Sequence, residues 1–300
     1  MNRLLKFARA LGMVVGLGLS ASVPAQEVDT LAKIRATGEM VLGVQEYAVP
    51  FSYLDLNGNS IGYSVTLCQG VAAFIRKQFA MPGLALRYHF VNRGMPTEAL
   101  KAGEVDLVCS SFGNTTRRQQ EVGFSLNFFY SGLRMLVRRN SKIQKFDDLS
   151  GKRLVVSMGS TSEQAVHQKI EREGWKVTVL LGKNHAESFR MVRSGRADAF
   201  VLDDALLAGI IATSRDPNAY RITGEPLWVE PYALMLRKGD TVFKRVVDSA
   251  LREMMRSGKV EKIYANWFLE PLPPRGIKLN IPMSEWLKDA LKNPSDRGVE

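Results

Sequence analysis

Apolar positions along the chain switch repeatedly between a period of two and a period near three and a half, and each switch marks a change from strand to helix. In TLAKIRATGEMVLGVQ (30–45), Leu31 and Ile34 share one face of a short helix that Gly38 stops, ahead of the strand MVLGV. In YAVPFSYLDLNGNSIGYS (47–64), the turn signal Asn57-Gly58-Asn59 separates two strand-like pieces of a hairpin. Val65, Leu67, Val71, Ala72, Phe74 and Ile75 then recur at helical spacing, and cations close that helix. The strand LALRYHFV (84–91), the helix-like PTEALKAG (96–103) and the strand VDLVCS (105–110) complete a β-α-β-α-β order. Such alternation implies an α/β fold with a parallel sheet covered by helices.

A second series of the same kind runs through KRLVVSMGSTSEQAVHQKIEREG, KVTVLL, ESFRMVRSG, ADAFVLDDALLAGII and YRITGE. The chain then returns to a strand, YALMLRKG (232–239), and to two amphipathic helices, VFKRVVDSALREMMRSG and VEKIYANWF. Pro271, Pro273 and Pro274 break the pattern and leave residues 271–300 as a C-terminal extension with a surface helix in PMSEWLKDALKN.

Residues 1–25 read as a secretory signal peptide: Arg3, Lys6 and Arg9, an apolar stretch from Leu11 to Leu19, and small residues before Gln26. The apolar stretch is too short to span a bilayer. Removing three cations and no acids takes the net charge from +11 to +11 − 3 = +8. The basic residues form no long runs, so neither charge nor export favours a nucleic-acid partner. Cys68 and Cys109 sit in a chain bound for a compartment where disulfides persist, and either a bridge or two buried thiols fits them. No pairing of cysteine, acid and histidine has metal-ligand spacing, and nothing calls for a cofactor.

Ligands of open α/β sheets sit beyond the carboxyl ends of the strands, so the residues that follow each strand are the candidates. After VDLVC come Ser110, Ser111 and Gly113, then Arg117 and Arg118 where a helix can begin: small hydroxyls and a fixed cation that suit a small anion. After LVVSM, Ser160 and Thr161 open a helix with Glu163 three residues past Ser160, which serves equally as an anion seat or a capping box. Asp203 and Asp204 end another strand, where one carboxylate suffices as a helix cap and the second is free to hold an ammonium group. Gln45 and Glu46 follow MVLGV, and His185 follows KVTVLL in a loop where a surface histidine is the commoner occupant.

The stretches VPFSYLD (49–55), GYSVTLC (62–68), VDLVCSS with Arg118 after it, GSTSE (159–163), ESFRMVRSGRADAFVLDDALLAG (187–209) and YALMLRKGD (232–240) resemble the periplasmic solute-binding proteins of polar amino-acid ABC transporters, family 3, and most of all their glutamate/aspartate-binding branch. The resemblance implies two α/β lobes (a type II periplasmic binding protein) closing on a ligand about two hinge strands, near Ser131 to Met135 and Glu230 to Leu234. The first lobe would comprise residues 26–131 plus 232–270, and the second 132–231. It further implies that Arg118, with Ser111 and Thr161, receives the α-carboxylate of an amino acid, that Asp203 receives its ammonium, that Phe51 packs over its aliphatic part, and that His185 reaches its side-chain end. Gln45 stands where this branch has an arginine, Pro96 where it has another, and Gly113 where it has a hydroxyl residue; Arg93 and His185 are the cations left for a side-chain carboxylate.

The expected protein is thus a monomeric periplasmic component that binds a polar, foremost acidic, amino acid without turnover and delivers it to an inner-membrane permease. The alternative is an enzyme on the same clamp, such as a cyclohexadienyl or arogenate dehydratase, for which His185 or Glu46 would supply the acid or base.

Overall fold

The computed structural model of the protein describes residues 29–91, 96–274 and 276–300; the expected leader over 1–25 and Arg93 lie outside the described residues. Helix α1 (Thr30–Thr37) starts on Asp29, whose side chain accepts from the Ala32 amide at 2.9 Å, and stops at Gly38, where a φ of +66° suits a residue without a Cβ. Strand β1 (Glu39–Val44) follows, then a small antiparallel meander of β2 (Tyr47–Ala48), β3 (Ser52–Leu54) and β4 (Ser60–Ile61), with the turn where Asn57-Gly58-Asn59 predicts it. Helix α2 (Tyr63–Gln78), β5 (Ala85–Phe90), α3 (Pro96–Ala102) and β6 (Leu107–Val108) complete the first unit, with β5 and β6 parallel to β1 on either side. A disulfide joins Cys68 of α2 to Cys109 at the end of β6, which settles the choice left open between a bridge and two thiols.

After the short α4 (Thr116–Gln119) and β7 (Gly123–Phe124), the long strand β8 (Phe129–Arg138) crosses to a second sheet. That sheet is built from β9 (Arg153–Ser157), α5 (Thr161–Glu173), β10 (Thr178–Gly182), α6 (His185–Arg193), β11 (Ala199–Asp203), α7 (Asp204–Thr213) and β12 (Tyr220–Thr223). Its strand order is β10-β9-β11-β8-β12. Strand β13 (Val229–Tyr232) then returns antiparallel along β8, pairing Val229 with Gly132 and Tyr232 with Phe129, and β14 (Met235–Leu236) enters the first sheet in the order β5-β1-β6-β14-β7. Two lobes joined by a ribbon of two hinge strands result. Each sheet is parallel at its centre and antiparallel where a crossing strand joins it, because that strand enters from the opposite lobe. No helix among the described residues is long and apolar enough to cross a membrane.

Helices α8 (Thr241–Arg256) and α9 (Lys259–Phe268) cover the first lobe. Phe243, Val247, Ala250, Leu251 and Met254 of α8 are buried at helical spacing against α2. The terminal α10 (Glu285–Lys292) buries Leu287 and Ala290 and leaves Trp286 exposed, so the expected surface helix is amphipathic and docked on α8 and β8. Phe51 lies at the heart of the lobe, fully buried, with its ring 4.8 Å from Phe129, 5.1 Å from Tyr232 and 5.7 Å from Phe268 in edge-on contacts. The structure therefore replaces the ligand-packing role expected of Phe51 with a core role: its faces are taken up by other rings.

Candidate functional site

The first wall of the cleft is the loop after β6, held at its start by the Cys68–Cys109 bridge. Ser110 Oγ donates to Gln45 Oε1 at 2.5 Å, so Gln45 is fixed to this loop. Ser111 is 3% exposed and its hydroxyl has no hydrogen-bond partner, an orphan at a place where a ligand oxygen is expected. Thr115 caps α4, accepting from the Arg118 amide at 3.2 Å. Arg117 points to solvent, whereas Arg118 folds back, donates from Nη1 to the Gly113 carbonyl at 3.0 Å and lies over the Phe112 ring. Burial lowers the Arg118 pKa, and the nearby charges of Glu230 and Asp203 act in the opposite direction. A half-buried guanidinium offers a fixed positive charge and a planar fork of donors, the geometry that suits a carboxylate.

The second wall begins at α5. Ser160 Oγ accepts from the Glu163 amide at 3.2 Å and donates to the Ser157 carbonyl at 2.6 Å, while Glu163 accepts from the Gly159 amide at 2.7 Å. The capping role of this motif is thus real, and it leaves Thr161 as the hydroxyl that reaches across the cleft, donating to Glu230 Oε1 at 2.9 Å. The adjacent acids at the end of β11 divide their work. Asp204 Oδ1 accepts from Ser131 Oγ at 2.7 Å, the Gly132 amide at 3.2 Å and the Ala205 amide at 2.8 Å, binding α7 to the hinge strand. Asp203 is 2% exposed, spends no side-chain bond on capping α7, and interacts electrostatically with Arg118.

Two cavities open between the walls. One of about 700 Å³ is lined by Phe112, Thr115, Arg117 and Arg118 on one side and by Ser160, Thr161 and His167 on the other. The second, about 440 Å³, brings Gln45, Glu46 and Tyr47 against Asn184 and His185. His185 is buried rather than at the surface, with Nδ1 2.7 Å from Ser157 Oγ, which in turn lies 2.9 Å from Ser188 Oγ. The structure therefore places Arg118, Ser160 and Thr161 on the first cavity and Gln45 and His185 on the second, while Ser111, Gly113 and Asp203 are buried behind the walls, Gly113 bonded to Arg118 and Asp203 in electrostatic contact with it.

Sequence reasoning misses Glu230. It is 1% exposed on the hinge strand β13, and its Oε2 has no partner. A Cβ on Gly113 would stand 2.5 Å from Oε2, so the space that a larger residue at 113 would fill is taken by this carboxylate. The available signal was a lone acid inside the apolar run LWVEPYALML.

A model of the bacterial extracellular solute-binding proteins, family 3, matches residues 40–270. The chain belongs to this family. It is 41% identical over 289 residues to an L-glutamate/L-aspartate-binding protein of Pseudomonas aeruginosa, covering 96% of each chain. A glutamate/aspartate import solute-binding protein of Escherichia coli is 33% identical over 290 residues, covering 97% of this chain and 96% of that one. Among solved structures, an ancestral arginine-binding protein bound to arginine superposes with a TM-score of 0.69 at 30% identity, covering 77% of this chain and 98% of the other. An ancestral amino-acid-binding protein described as a precursor of cyclohexadienyl dehydratase gives a TM-score of 0.68 at 28% identity, over 80% of this chain and 99% of the other. As in these two-lobed neighbours, the cleft of this family-3 chain lies between α/β lobes.

Proposed function

We propose that this family-3 protein is the extracytoplasmic receptor of an amino-acid importer: after loss of a cleaved leader it captures an acidic L-amino acid in the periplasm and presents it to an inner-membrane permease. The observation that carries the reading is the convergence of Arg118 and Asp203, from different lobes, within electrostatic range across one cleft. A zwitterion carries a carboxylate and an ammonium on adjacent bonds, and a buried cation facing a buried acid matches that pair. Ser111 and Thr161 supply hydroxyls to the carboxylate, and His185 with Gln45 faces the side-chain end. The lobes that close are 26–131 plus 232–270 and 132–231, the protein acts as a monomer, and no chemistry follows binding. The relatives' names, which specify glutamate and aspartate, support the acidic ligand.

Thermal-shift screening of the mature chain against the amino acids, prephenate and arogenate tests this reading. A ligand at 100 times its dissociation constant adds about 2.7 kcal/mol to stability, so glutamate or aspartate raises the melting temperature clearly. Arg118→Ala and Asp203→Ala each abolish the shift and keep the unliganded fold. Dehydration of arogenate without a shift from any amino acid sinks the proposal.

A further inference from the structure

We propose that the C-terminal residues 295–299 are a strap that positions the ligand seat, so that capture of the amino acid depends on a segment that does not touch it. The inference rests on the binding role of Arg118 given above. Arg118 lies in α4, four residues long, in the segment 114–127 between β6 and the hinge. A helix that short has no stability of its own, because nucleation costs more than one turn of hydrogen bonds returns. Something else holds it in place.

The strap does so at both ends of the segment. At the first end, the Thr116 amide donates to the Val299 carbonyl at 2.8 Å and the Val299 amide donates to the Asn114 carbonyl at 3.0 Å, a strand-like pairing that also occupies a free amide at the start of α4. Asn114 Nδ2 and Gln119 Nε2 both donate to the Asp296 carbonyl, at 2.9 Å and 3.0 Å. At the far end, the Asn127 amide donates to the Ser295 carbonyl at 2.8 Å and Asn127 Nδ2 to the Arg297 carbonyl at 2.9 Å. Asn114 and Asn127 are fully buried and bonded to each other at 2.9 Å, so the strap completes a polar core instead of covering an apolar one. An ion pair of Asp296 with Lys244 at 2.9 Å anchors the strap to α8. Since the Asn114 amide donates to the Pro231 carbonyl at 2.7 Å, the seat, the hinge strand and the strap share one residue.

The test compares the mature chain with a version ending at Asn293 and with Thr116→Pro. Proline fits here: position 116 opens α4, and Thr115 before it is extended, with φ −113° and ψ 150°. The substitution removes the amide bonded to Val299 together with a threonine side chain that is exposed. Calorimetric titration with glutamate and amide hydrogen exchange are read on all three. The expected result is at least tenfold weaker binding for the truncated chain, severalfold weaker for Thr116→Pro, and faster exchange confined to residues 113–127. Adding the peptide PSDRGVE restores affinity to the truncated chain, which a general loss of stability does not allow. Unchanged affinity and unchanged exchange in Thr116→Pro overturn the proposal, also if the truncated chain does not fold. If the intact chain binds no amino acid, the functional reading fails, while the exchange pattern alone still decides for or against the strap.

Discussion

Gly113→Ala probes the cleft wall without altering a charge. The added methyl would stand 2.5 Å from Glu230 Oε2, 2.7 Å from its carboxyl carbon and 2.8 Å from Oε1, all too close to keep. The backbone at 113 has little room to retreat, since Gly113 bridges Tyr232 and the neighbouring Asn114 amide is bonded to Pro231 at 2.7 Å. The Glu230 carboxylate therefore moves and gives up the hydrogen bond from Thr161, in surroundings where Glu230 is 1% exposed and water does not replace it. A hydrogen bond to a charged group is worth roughly 1.5–3 kcal/mol, so the unliganded protein loses about 2 kcal/mol. Glu230→Ala is destabilising by itself, but it vacates the space that the methyl at 113 needs. The double variant then costs less than the sum of the singles, with a coupling of about 1–2 kcal/mol. Urea unfolding of the four proteins measures this cycle. A Gly113→Ala protein within about 0.5 kcal/mol of the parent, or strict additivity, refutes the reasoning.

Replacing Cys68 and Cys109 together by alanine opens a loop with a sequence separation of 41 and is expected to cost about 4 kcal/mol by the loop-entropy relation, read as a lower urea midpoint under oxidising conditions; a difference below about 1 kcal/mol contradicts it. The Lys244 ammonium, hydrogen-bonded to Asp296, holds that carboxyl below its usual value. A depressed folded pKa means that the ion pair contributes at neutral pH, above the unfolded value of about 3.9, and that its contribution is lost as pH falls through the folded value. The Val299 amide resonance is therefore expected to shift toward a released position below about pH 4, whereas Asp296→Asn should remove that titration; a Val299 signal unmoved to pH 2.5 speaks against it. Conversion of Arg118 to Lys keeps the charge but loses the fork, and is expected to weaken glutamate binding roughly tenfold or more in calorimetric titration.

Local signals made much of this molecule legible. The switch from period two to helical spacing locates α2, α5 and α8, and the turn at Asn57-Gly58-Asn59 locates the hairpin. Asp203 could be picked out as a candidate because it ends β11, and Arg118 because it lies in the loop-and-helix segment that follows β6, the side of an α/β sheet where ligands sit. What escaped depends on contacts between residues far apart in the chain. Thr161 meets Glu230 across 69 positions, and Asn114 meets Asp296 across 182, so no window of sequence contains either pair. Phe51 was misassigned for a related reason: a motif match gives its place in the chain, whereas its burial is decided by Phe129, Tyr232 and Phe268 arriving from elsewhere. His185 looked like a surface loop residue until Ser157 on the neighbouring strand was placed beside it.

The Asp204 staple has a mechanical consequence. By tying the Ser131 hydroxyl and the Gly132 amide to the first turn of α7, it makes the outer part of β8 move with the second lobe. On the other side, the Phe128 amide is bonded to the Tyr232 carbonyl and the Asn114 amide to the Pro231 carbonyl, so these residues travel with the first lobe. A clamp that closes with these bonds intact would turn on a short length of paired ribbon around Phe129–Tyr130 and Glu230, on the first-lobe side of the Ser131–Met135 crossing expected from the sequence. Such an axle would favour turning through a defined arc over flexing along its length, with Glu230 on the ribbon and its side chain already bonded to Thr161 of the second lobe.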